Sequence, residues 1–204
     1  MLYHYGNILG SAKKALERSY SDTTEASVAI MMSAMALECY INDFTQRVTH
    51  HNSICEDNEI IAKLSFFLNE YEKNNNSLKS KIDLIFYILN GEKTDKGSRL
   101  YQDLDMLLQL RNSYVHRKPE STGKNGLEVE KPHKYVRFFV ERKLIEKPPE
   151  KYPPIWSYAL NSPKVAQWAL NTVKAVINNI TASLPEESMS KQVETLLVET
   201  LEKI

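Results

Sequence analysis

Cysteine is scarce in this sequence: Cys39 and Cys55 are the two among 204 residues. Cys39 falls inside an apolar helical pattern and Cys55 in a polar stretch. They lay out no disulfide framework, and the usage suits a reducing cytoplasm. An excess of one charge is also missing. Lysine plus arginine and aspartate plus glutamate stand at 26 each, for a net charge of zero. Proteins that coat nucleic acid are basic overall, so any nucleic-acid contact here is confined to a local, salt-sensitive patch. Long hydrophobic runs are absent. The most apolar stretch, "ASVAIMMSAMAL" at 26–37, is too short to span a bilayer and runs into Glu38. It reads as a buried helix, with no membrane partner. Residues 1–20 show no basic region followed by an apolar block, which speaks against a signal peptide. The six glycines build no phosphate-cradling loop, and no nucleophile elbow or paired-carboxylate metal motif occurs. His50, His51 and Cys55 lie close in sequence. Adjacent histidines do not share a face of regular structure, and no second ligand pair completes a set. "HHNSICEDNE" is expected to be a solvated loop, with no metal and no cofactor.

What the sequence does have is helical spacing. Residues are 42% hydrophobic and 25% charged, the balance of a globular chain. Over 7–20, Ile8, Leu9, Ala12, Ala15, Leu16 and Tyr20 recur at three- and four-residue intervals. A second helix is predicted from about Glu25 to about Val48, apolar on all sides at first and amphipathic through Tyr40, Ile41 and Phe44. A third fits 58–72. A fourth starts at Ser77 and stops at Asn90-Gly91. The fifth carries Leu100, Leu104, Leu107 and Leu108 and ends no later than Pro119, because a residue before proline is pushed out of the helical region.

Residues 119–132 read as an exposed loop. "HKYVRFFVERKL" fits a short helix better than a strand, and "IEKPPEKYPP" reads as a rigid proline-rich connector. Ser162 as cap and Pro163 in the first helical position open a long C-terminal helix. The expectation is an all-α bundle of about six helices, with one domain over 1–184 and an irregular insertion at about 119–161. Residues 185–204 are expected to form an amphipathic tail or short helix.

The fifth helix ends in "LLQLRNSYVHRKPE", residues 107–120. Asn112 and His116 are four apart and share a helix face. Arg111 and His116 are five apart, roughly 140° around a regular helix. They converge only if the helix loosens near Tyr114 or if a second chain supplies half of the site. Arginine suits phosphate because its planar fork donates two parallel hydrogen bonds. Histidine suits proton transfer near neutrality. The alternative is a cationic helix end, where Arg111, His116, Arg117 and Lys118 favour the negative pole of the helix dipole. Glu38 and Asn42, four apart on the second helix, either orient such a site or mark where that helix meets solvent. Tyr135, Arg137, Phe138, Arg142 and Lys143 mix aromatics with cations. They suit either RNA contact or a half-buried amphipathic segment.

The small-residue-rich second helix ending in "ALECYINDF", the helix count and "LRNSYVH" together resemble the HEPN (higher eukaryotes and prokaryotes nucleotide-binding) domains. Their hallmark is an arginine, four to six residues, then a histidine, commonly with a polar residue after the arginine. Arg111, Asn112 and His116 match the four-residue form. The resemblance covers residues 1–118 and 162–184. It implies metal-independent RNA cleavage at a site shared by two chains, with His116 as general base or acid, Arg111 on the phosphate and Asn112 in support. By the same resemblance Arg117 and Lys118 would touch RNA, and the partners would be RNA, a second copy and an antitoxin or regulatory protein. A toxin or defence role goes with it. The alternative within the family is a non-catalytic module that binds a partner protein or a nucleotide. The tyrosine two residues after the histidine, found where such proteins pair with a nucleotidyltransferase antitoxin, is replaced here by Lys118.

Overall fold

The computed structural model describes residues 4–54, 58–116, 133–149 and 155–202. Among them every regular element is an α-helix, and there are nine: α1 Tyr5–Arg18, α2 Glu25–Ile54, α3 Glu59–Lys73, α4 Leu78–Asn90, α5 Arg99–Val115, α6 Lys134–Glu141, α7 Trp156–Ala159, α8 Pro163–Ser183 and α9 Met189–Glu202. The expected loop at 119–132 and the second half of the connector, 150–154, lie outside the described residues, as do Cys55, Arg117 and Lys118.

The caps explain several boundaries. Asn58 accepts from the amides of Ile60 and Ile61, and Ser77 accepts from Ser80. Ser162 accepts from Lys164 at the start of α8. These side chains satisfy amides that lack a helical partner. At the other ends, Asn75, Gly91 and Lys143 all take positive φ, at 51°, 74° and 57°. Glycine and asparagine are the usual residues there. Lysine is not, and the left-handed conformation costs a residue with a Cβ about 1–2 kcal/mol. At Lys143 the paired bonds of a Schellman motif still form: Lys143 N–H to Val140 and Leu144 N–H to Phe139, both 2.9 Å.

One expectation needs correction. The helix that starts at Glu25 does not end near Val48 but runs to Ile54, so His50 and His51 are helical and not in a loop. The polar letters there face outward, while Phe44, Val48 and His51 continue the buried stripe at helical steps. His51 is buried, with Nδ1 3.1 Å from Ser190 Oγ. The nine described helices include α6, the short helix expected of "HKYVRFFVERKL", and a four-residue α7 within the rest of the insertion.

Contacts group the chain into two compact units. The first comprises 1–8, 35–105 and 172–204, and the second 9–34 and 106–171. In the first, Ile41 and Phe44 of α2, Ile61, Leu64 and Leu68 of α3, and Ile82, Ile85 and Phe86 of α4 are buried. Within this core Arg47 pairs with Glu194 of α9 at 2.6 Å, with the two side chains 1% and 2% exposed. Tyr40 donates to the same carboxylate at 3.2 Å. The guanidinium also lies 5.9 Å from the Tyr5 ring centroid and 5.7 Å from that of Tyr40. In the second unit Ala12, Ala15, Leu16, Ile30, Leu107, Leu110, Phe139 and Val165 are buried, and Phe139 meets Trp168 edge-on at 4.7 Å. No helix among the described residues is long and apolar enough to cross a membrane.

Candidate functional site

The stripe Tyr101, Leu104, Leu107 and Leu110 buries one side of α5. Beyond Leu110 the exposure changes within a turn. Arg111, Ser113 and Tyr114 are half-buried, while Asn112, Val115 and His116 are exposed. The helix does not loosen at Tyr114. It is α-helical to Val115, and His116 N–H closes a further α-type turn on the Asn112 carbonyl at 2.9 Å. Asn112 and His116 therefore share an outward face, and Arg111 is turned away from His116 by roughly 140° within one chain. Arg111 Nη1 donates to Asn112 Oδ1 at 3.1 Å. The asparagine thus holds one arm of the fork.

Sequence reasoning missed what holds this helix end. Tyr135 of α6 donates to the Gln109 carbonyl at 3.2 Å and shares a short hydrogen bond with the Ser113 hydroxyl. Lys134 donates to Gln109 Oε1 at 2.8 Å. Trp156 of α7 packs 5.1 Å from the Tyr114 ring, 5.0 Å from Tyr135 and 5.5 Å from His133. The insertion after the motif, unassigned from sequence, thus folds its own helices back on Gln109, Ser113 and Tyr114. Tyr135 and Trp156 are buried and Phe138 is half-buried with Arg142 over its ring at 5.0 Å. That makes α6 an amphipathic segment, with Arg137 on its exposed side. The available signal was an aromatic-rich stretch flanked by proline. Periodicity cannot say where such a stretch docks.

Glu38 and Asn42 belong to the first unit, and Arg111, Asn112 and His116 to the second. Glu38 is half-buried. Asn42 is exposed and lines a polar groove of about 460 Å³ with Gln46, His50, Asn69 and Glu72. Their neighbour Asp43 accepts from the His4 amide at 3.3 Å and from the Cys39 thiol at 3.9 Å. Burial, helped by the Asp43 charge, pushes that thiol above its ordinary range, so Cys39 is a poor nucleophile near neutrality. Among the described residues no three histidine, cysteine, aspartate or glutamate side chains group closely enough to hold a metal ion. In comparison with known proteins the chain matches no family model, no curated protein and no solved structure.

Proposed function

We propose that this chain is a metal-independent endoribonuclease whose cleft is completed by a second copy, with a role as a toxin or defence effector. The observation that supports this reading best is the unbroken helix from Arg111 to Val115. It keeps Arg111 and His116 on different faces, so one chain offers half a cleft and two chains offer a whole one. One imidazole cannot readily serve as base and acid in the same turnover, whereas a pair can. In the shared cleft, His116 of one copy takes the proton of a ribose 2′-hydroxyl. The 2′-oxygen attacks phosphorus, the bond to the 5′-oxygen breaks, and His116 of the other copy protonates the departing oxygen. The products are a 2′,3′-cyclic phosphate and a 5′-hydroxyl. Arg111, oriented by Asn112, neutralises the pentavalent phosphate.

The test is incubation with structured RNA in chelator at falling protein concentration. Cyclic phosphate ends are expected, with activity per chain falling on dilution as the pair separates. Arg111→Ala should lower the rate by about 100- to 1,000-fold, the usual effect of removing a group that meets transition-state charge. Absence of cleavage, or equal cleavage by the variant, refutes the reading. Growth arrest on expression, relieved by Arg111→Ala, would mark a toxin; normal growth with the intact protein counts against that role.

A further inference from the structure

A groove of about 770 Å³ opens in the second unit, between the C-terminal end of α6, the start of the connector and the start of α8. Among the described residues Lys143, Lys147 and Lys164 line it, and Glu146 supplies a carboxylate. Pro148 and Pro149 form part of its apolar wall. Tyr20 also lines it and is 72% exposed. Three ammonium groups beside the Glu146 carboxylate make the described lining basic on a chain of zero net charge, which complements a polyanion. An exposed phenol beside such a patch gives a base a surface on which to stack.

Lys143 carries the most information. It occupies the left-handed position that ends α6, where Gly91 and Asn75 stand at the corresponding ends of α4 and α3. Glycine would relieve that strain, yet the position holds a lysine that lines the groove. Backbone strain of this kind is stored where a side chain has work to do.

We propose that this groove holds single-stranded RNA, with the three lysines on consecutive phosphates and Tyr20 beneath a base. The choice of polymer rests on the nuclease reading above; the charge and the exposed ring rest on the groove alone. The experiment is binding of a labelled single-stranded RNA, followed by fluorescence anisotropy across a salt series, with His116→Ala in the background so that the strand stays intact. Lys143→Gly should raise the melting temperature and at the same time weaken RNA binding severalfold, two changes that a purely structural lysine would not produce together. Replacing all three lysines by serine should reduce the slope of log K against log salt by about 2, at about 0.7 per phosphate contact on a single strand. Tyr20→Ala should weaken binding roughly tenfold.

Unchanged binding and slope in the triple variant overturn the proposal. So does displacement by an acidic peptide with no binding of RNA, which would make the groove a protein-docking surface. The two readings fail separately. Groove-dependent binding without cleavage by the parent chain sinks the nuclease and keeps the groove. Cleavage that is indifferent to the lysines does the reverse.

Discussion

Two arginines of this chain show opposite uses of the same side chain. Arg47 is shut away in the first unit, gripped by Glu194 and flanked by Tyr5 and Tyr40. Arg111 stands half-buried at the end of α5 in the second unit, bonded to the neutral amide of its neighbour Asn112. Taking a charge out of water is costly, and that cost is recovered only with a close, well-hydrogen-bonded counter-charge. Arg47 has such a partner, so its charge is committed within the fold. Arg111 and its exposed neighbour His116 lie nearer water, which is where charge must stand to meet a phosphate from outside. The contrast sets an arginine committed to the buried core beside the arginine to which the proposed reading gives a phosphate.

The largest effect should come from breaking the buried pair. Glu194→Ala leaves the Arg47 charge uncompensated, and the expected loss is about 3–5 kcal/mol in chemical denaturation. Replacing both partners with apolar residues, Arg47→Met with Glu194→Leu, should leave the chain about as stable as the parent, because the desolvation of both charges disappears together. A double variant as unstable as Glu194→Ala would show that the pair is favourable in its own right.

The pH dependence follows from the same balance. Burial pushes the Glu194 carboxyl above its ordinary value of 4.5, against the pull of Arg47. The folded chain therefore binds this proton more tightly than the unfolded chain. The associated stability is fully present below about pH 4.5 and is lost as pH rises through the folded value. The stability of the parent relative to Glu194→Gln should accordingly rise as pH falls from neutrality toward 4.5. A difference that falls instead would mean that the attraction to Arg47 outweighs burial.

A smaller effect is expected where α6 holds the motif helix. Tyr135→Phe removes the hydroxyl that reaches Ser113 and the Gln109 carbonyl. The expected loss is about 0.5–1.5 kcal/mol. RNA cleavage should fall while His116 itself is untouched; an unchanged rate would mean that the clamp serves stability alone.

Much of the fold could be read from periodicity and caps. Ser77 with Gly91 bracket α4, and Ser162 with Pro163 open α8, because local hydrogen bonding decides those positions. The end of α2 was misread because polar residues on an outward face look like a loop when the inward stripe is carried by a histidine. Arg47 and Glu194 were missed for a different reason. They are 147 residues apart, and a charged residue in an amphipathic helix is normally assigned to solvent. Of the candidate site, Arg111, Asn112 and His116 are proposed from type and spacing alone. Tyr135 and Trp156, which pack on Gln109, Ser113 and Tyr114 of the same helix, were not legible, since docking of a short aromatic helix is a tertiary event.

His116 offers the sharpest test of the comparison because stability and chemistry should separate there. Its ring is exposed and sits one residue beyond the helix, whose regular hydrogen bonding is made by its backbone amide. His116→Ala removes neither a cap nor a buried contact, so the change in stability should stay within about 0.5 kcal/mol. A proton-transfer group is worth about 100- to 10,000-fold in rate, so RNA cleavage should fall by at least the lower figure. Denaturation and cleavage measured on the same preparation decide the matter. A variant that unfolds early would place His116 with Arg47 among the residues that hold the fold. A stable variant that cleaves as well as the parent would leave the end of α5 a cationic helix terminus and nothing more.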